Sequence, residues 1–179
     1  MLQRLPKPKA ILQVYAVIAV MLAGWTITAF LWKLSAWLLL LNLGELVAIF
    51  SYAMAANLVE SLSIMVVLLL LSMLLPAPIL RDAFALRGSL LAFGIIGALM
   101  AFVGLHMWLG VESAVTPFLG PVTVLFFALL LIGLARQPRV RNSLHHAVLW
   151  ASDRLTVFLF ILVPLFVLSA MYVLLRNIG

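Results

Sequence analysis

The sequence predicts an all-α, polytopic integral membrane bundle of six transmembrane helices, and three observations carry that reading. Hydrophobic residues make up 67% of the chain and charged residues only 9%, a balance foreign to water-soluble domains. Apolar runs of about twenty residues, enough to cross ~30 Å of hydrocarbon, follow one another from Ile11 to Leu175. These runs are continuously apolar rather than alternating. That excludes a membrane barrel and leaves the helix as the structure that satisfies backbone groups in lipid.

The expected spans are residues 11–32, 34–56, 62–80, 89–109, 117–135 and 155–175. They consume nearly all of the 179 residues, so residues 1–179 read as one transmembrane domain with no soluble domain. The first run follows the basic stretch Arg4, Lys7, Lys9 and is longer than the ~7–15 apolar residues of a signal peptide. It reads as an uncleaved span. Trp32 and Trp37 bracket Lys33, a cluster suited to the headgroup level and to a turn.

The second run contains Asn42, Glu45 and Tyr52. The segment 57–63 (NLVESLS) reads as a polar break, with Asn57 and Glu60 spaced like a capping pair for the third span. Glu60 is then a solvated helix cap. Pro76 and Pro78 close the third span, and Arg81, Asp82 and Arg87 follow. Pro117 and Pro121 open the fifth span, and the basic segment 136–154 separates it from the last.

Two arginine-bearing loops, 81–87 and 136–154, are separated by two expected spans and so share one side. The positive-inside bias makes that side cytoplasmic. The N-terminal third is less decided by charge. Six spans place seven Lys and Arg inside and four outside; five spans plus a re-entrant 34–56 segment place nine inside and two outside. Apolar length favours six, since 23 residues reach about 35 Å. Five plus a re-entrant segment is the alternative.

Composition also excludes functions. There are no cysteines, which removes disulfides, thiolate metal sites and cysteine nucleophiles. The formal charge of +6 sits beside span ends, so it reads as orientation and attraction to anionic headgroups rather than nucleic-acid binding. The expected partners are the lipid bilayer, anionic lipid headgroups and another membrane protein subunit. No metal or other cofactor is expected: His106 and the pair His145 and His146 belong to opposite membrane faces and cannot share one ion.

The candidate substrate- or ion-binding residues are Asn42, Glu45 and Tyr52. An ionisable side chain inside an apolar run is costly and faces a bundle interior or water path, and these three fall on roughly one helix face. The bland account is a Glu45 that fixes helix register by hydrogen bonding. Arg136, Arg139, Arg141, His145, His146 and Arg154 form a candidate headgroup- or partner-docking set. Residues 142–153 between them read as a short helix lying on the membrane surface. Ala19 and Ala23 on the first span, and Gly94, Ala98 and Ala101 on the fourth, are candidate close-packing residues.

No catalytic residue emerges. A nucleophile elbow, a His-Glu-x-x-His motif, a P-loop and paired intramembrane aspartates are all missing from the sequence. The first functional expectation is therefore a non-catalytic integral subunit or accessory protein of a larger membrane complex. The second is a small solute or ion transporter, or a substrate-binding membrane component, working through the polar stripe around Glu45. A membrane enzyme acting on a lipid phosphate comes third. The bacterial inner membrane is the expected location.

Overall fold

The computed structural model describes residues 6–76, 80, 83–109 and 138–178, and every regular element among them is a helix. In chain order these are α1 (Pro8–Trp37), α2 (Leu43–Leu74), α3 (Phe84–Leu109) and α4 (Pro138–Ile178). All four contain a stretch long and apolar enough to cross a membrane.

This corrects the expected count of six. Residues 34–56 and 62–80 are not two spans: α1 runs on through Lys33 to Trp37, and one 32-residue helix, α2, spans the supposed polar break. The reason is local. Between Gly44 and Pro76 the sequence has neither glycine nor proline, so nothing interrupts the backbone ladder. The polar side chains of 57–63 are accommodated on the helix. Ser61 and Ser63 donate to the carbonyls of Leu58 and Val59 (3.0 and 2.7 Å), and Asn57 faces α1.

The turn between α1 and α2 is five residues, closed by backbone bonds from Leu40 and Leu41 to the Trp37 carbonyl. Asn42 then caps α2. Its side chain accepts from the Glu45 backbone N–H, while the Glu45 carboxylate accepts from the Asn42 N–H, each at 2.9 Å. At the other end Leu75 is extended, as a residue before proline prefers, and Pro76 stops the helix.

The last helix brings a second correction. Residues 142–153 do not form a separate surface helix but are the opening turns of α4, which is 41 residues long. Val148 packs with Leu86 and Leu90 of α3, and buried Ser152 lies 3.1 Å from Ser89. Tertiary packing on α3 holds this stretch in line with the span. The expected fifth span, 117–135, lies outside the described residues.

At the centre stands α1. Val14, Ala16, Val17, Ile18 and Ala19 are fully buried, a burial all round the helix that requires neighbours on every side. Val14, Val17 and Ile18 join Met65, Leu68, Phe84 and Ile96 in a core shared with α2 and α3. Ala16, Ala19 and Ala23 join Met54, Leu159, Leu162 and Phe166 in a second core with α2 and α4.

Directions follow from the contacts. Gly88, Gly97 and Gly104 of α3 lie beside Val14, Met21 and Trp25 of α1, so these two helices run parallel. Gln13 bonds Asp153 while Ala23 shares a core with Phe166, so α4 is parallel to them as well. Thr26 meets Asn57 and Tyr15 meets Ser61, which makes α2 antiparallel to all three.

A lateral cleft at mid-depth around Glu60

Where the hydrocarbon lies is marked by charge. On α1, Lys9 and Lys33 are 24 residues apart, and on α4, Arg154 and Arg176 are 22 apart. At 1.5 Å per residue these pairs bracket about 36 and 33 Å, each matching a ~30 Å core with its ends at the interfaces. Residue 21 is the midpoint on α1.

Beside that midpoint, α1, α2 and α3 enclose a cleft of about 410 Å³. Its floor is Leu22 and Trp25 of α1. One wall is Val59, Glu60, Ser63 and Ile64 of α2, and the other is Ile96, Leu99, Met100 and Val103 of α3. Val59, Leu99 and Val103 are exposed, so the rim opens sideways into the lipid layer.

The lining includes one acidic residue, Glu60, which is itself exposed. Glu60 lies close to the middle of α2, and any stretch of about 20 residues that fits within the helix contains it. No choice of membrane position removes it from the hydrocarbon. Its sequence neighbours are engaged elsewhere: Asn57 with Thr26 of α1 at 3.1 Å, and Ser61 with Tyr15 of α1 at 3.4 Å. Ser63, on the cleft wall, spends its hydroxyl proton on the Val59 carbonyl. Among the described residues the Glu60 carboxylate has neither a hydrogen-bond nor an ion-pair partner. A charge at this depth is expensive and marks function unless something compensates it.

Comparison with protein-family models, with characterised proteins and with solved structures finds no match. Functional argument therefore rests on the residues themselves.

The sequence pointed to other residues. Asn42 and Glu45 sit at the exposed start of α2, not mid-span, and their polar groups are used in capping each other's backbone. Tyr52, two turns further on, donates to the Asn177 side chain near the end of α4 at 3.0 Å. These three residues line no part of the Glu60 cleft.

In the basic set, Arg139, Arg141 and His145 occupy the first turns of α4, and Arg136 lies outside the described residues. His146 and Arg154 are exposed, with the Arg154 guanidinium 5.8 Å from the Trp150 ring centre. His106, near the end of α3, is at the opposite end of the bundle from His146. Among the described residues no group of three metal-ligating side chains comes together.

Of the candidate small residues, all but Ala101 are buried within the fold. Ala19 and Ala23 pack against α4, Gly94 and Ala98 are buried on α3, and Ala101 is exposed.

Glu60 itself had a signal in the sequence. Thirty-one residues without glycine or proline lie between Gly44 and Pro76, more than one helix length through the apparent break. Reading that stretch as one helix puts Glu60 in its middle.

Proposed function

We propose that this chain is a non-catalytic integral membrane protein that binds a lipid-borne ligand in the α1–α2–α3 cleft, with Glu60 as its polar anchor. It is read as a substrate-binding or transport component. One observation carries the proposal: a carboxylate without a partner, at mid-depth, on the wall of an apolar cleft that opens to lipid. A mostly apolar concavity of this size with very few polar groups is the usual form of a small-molecule site.

The subunit reading is the second one. Ala16, Ala19 and Ala23 of α1 serve a contact within the chain, and Val148 and Ser152 pack on α3, while His146, Trp150 and Arg154 stay exposed. The cleft supplies a positive reason for ligand binding beside it.

The proposal includes an orientation. Lys7, Lys9, Arg87 and Arg154 lie at one end of the bundle, Lys33 and Arg176 at the other. Positive-inside bias makes the first end cytoplasmic, in a bacterial inner membrane.

The test is native mass spectrometry of the protein taken from its own membrane in lipid, beside Glu60→Gln. A small molecule bound to the natural chain and lost from the variant supports the reading. A stoichiometric protein partner that survives in the variant, with no small molecule, overturns it in favour of the subunit.

A further inference from the structure

We infer that the ligand taken by the Glu60 cleft is a hydrophobic organic monocation, a charged ammonium- or phosphonium-like centre carrying apolar arms. The inference rests on the binding reading above and adds to it the chemistry of the occupant.

The argument goes by what the walls offer. A single carboxylate balances one positive charge and no more. Divalent cations require several oxygen ligands, six or so for calcium or magnesium, and the one other lining residue with a side-chain oxygen, Ser63, donates its hydroxyl to its own helix. Among the described residues nothing else gathers metal ligands. A bare inorganic monovalent ion fails for the same reason, because no ring of carbonyls replaces its water. Anions are repelled by Glu60, and a neutral apolar molecule leaves the carboxylate uncompensated in hydrocarbon.

An organic monocation meets every surface. Its charge centre faces Glu60, and its arms lie against Leu22, Ile96 and Met100. Trp25 adds an aromatic ring to the floor, a surface that attracts cations, with Gly104 of α3 beside its indole. The lateral opening between Val59 and Val103 lets such a molecule arrive from the bilayer, where its apolar arms concentrate it.

The experiment uses the full chain in nanodiscs of zwitterionic lipid and two probes of the same shape and opposite charge, tetraphenylphosphonium and tetraphenylborate. Empty nanodiscs correct for partition into lipid. The expected result is saturable binding of the cation at one site, no saturable binding of the anion, and affinity weakened at least about tenfold by Glu60→Gln. Among the described residues Glu60 makes no hydrogen bond or ion pair, so this variant is expected to keep a thermal midpoint at or slightly above the natural one. A second variant, Val103→Trp, narrows the cleft without altering the carboxylate and is expected to weaken the cation in the same way.

Equal saturable binding of both ions, or cation binding indifferent to Glu60→Gln, overturns the cation assignment while leaving a lipophile site in place. Absence of saturable binding by either ion overturns the binding reading as well.

Discussion

Thr26 on α1 donates a 3.1 Å hydrogen bond to the side-chain Oδ1 of Asn57 on α2, so Asn57 is engaged with α1 while Glu60, three residues on, lines the cleft. Asn57 precedes Glu60 by less than one turn and is 4% exposed. Its amide also reaches the Met54 sulfur, at 3.8 Å. With Asn57 held against α1, it is unavailable to Glu60.

Breaking that bond should therefore destabilise the bundle without touching recognition. Thr26→Val leaves the Asn57 oxygen unpaired in a nearly dry interface. Interhelical bonds of this kind contribute about 0.6–2 kcal/mol in membranes. A loss of that size in detergent unfolding is expected, with ligand affinity changed less than about twofold. A drop in affinity as large as that of Glu60→Gln would mean that Asn57 belongs to the site.

A close approach of α1 and α3, at Gly88, makes a second prediction. A Cβ on Gly88 would stand 3.0 Å from one Val14 methyl and 3.3 Å from the other. Val14 is fully buried and, being β-branched, has little rotamer freedom to move away. Gly88→Ala should thus destabilise by about 1–3 kcal/mol, the usual range for overpacking. Adding Val14→Ala should recover part of the loss, and a thermal-unfolding double-mutant cycle reads the coupling. Simple additivity of the two changes would show that the helices are not in contact there.

Orientation is testable because the chain has no cysteines of its own. Lys9→Cys and Lys33→Cys place single thiols near the two ends of α1. In intact cells a membrane-impermeant maleimide is expected to label position 33, and position 9 only after permeabilisation. The reverse pattern would invert the proposed topology, and labelling of both from outside would mean that α1 does not cross.

Much of the architecture was legible in the residues, though unevenly. Composition and run length fixed an all-helical membrane protein, and Pro76 marked a true helix end. The sequence pattern splits α2 in two because the polarity of 57–63 looks like a break. Asn, Ser and Glu signal loops in water, where they compete for backbone groups. Within a bundle the same side chains find partners on a neighbouring helix, as Asn57 and Ser61 do on α1. What ends a helix in lipid is a missing backbone donor or a capping box, and those stood at Pro76 and at Asn42–Glu45. Rotation was not legible at all. Helices apolar on every face carry no sign of which side meets protein, so neither the central place of α1 nor the cleft between α2 and α3 follows from the sequence pattern.

The two glutamates of α2 give the sharpest contrast, because sequence and structure rank them oppositely. Glu45 accepts the Asn42 N–H in a reciprocal cap at an exposed helix start. A glutamine side-chain oxygen does the same, so Glu45→Gln should change stability by less than about 0.5 kcal/mol. Asn42→Ala, which removes the side-chain half of the box, should cost about 0.5–2 kcal/mol. Glu60 makes no bond within the described fold, so Glu60→Gln should leave stability unchanged or slightly higher, since it removes a costly charge from hydrocarbon. Binding should show the opposite order: near-natural in Glu45→Gln and Asn42→Ala, weakened at least about tenfold in Glu60→Gln. Thermal midpoints and cation titrations on the three variants, measured side by side in the same nanodiscs, check this crossing. If Glu45→Gln is the variant that loses binding, the ligand sits at the end of α2 with Tyr52 and not in the mid-depth cleft.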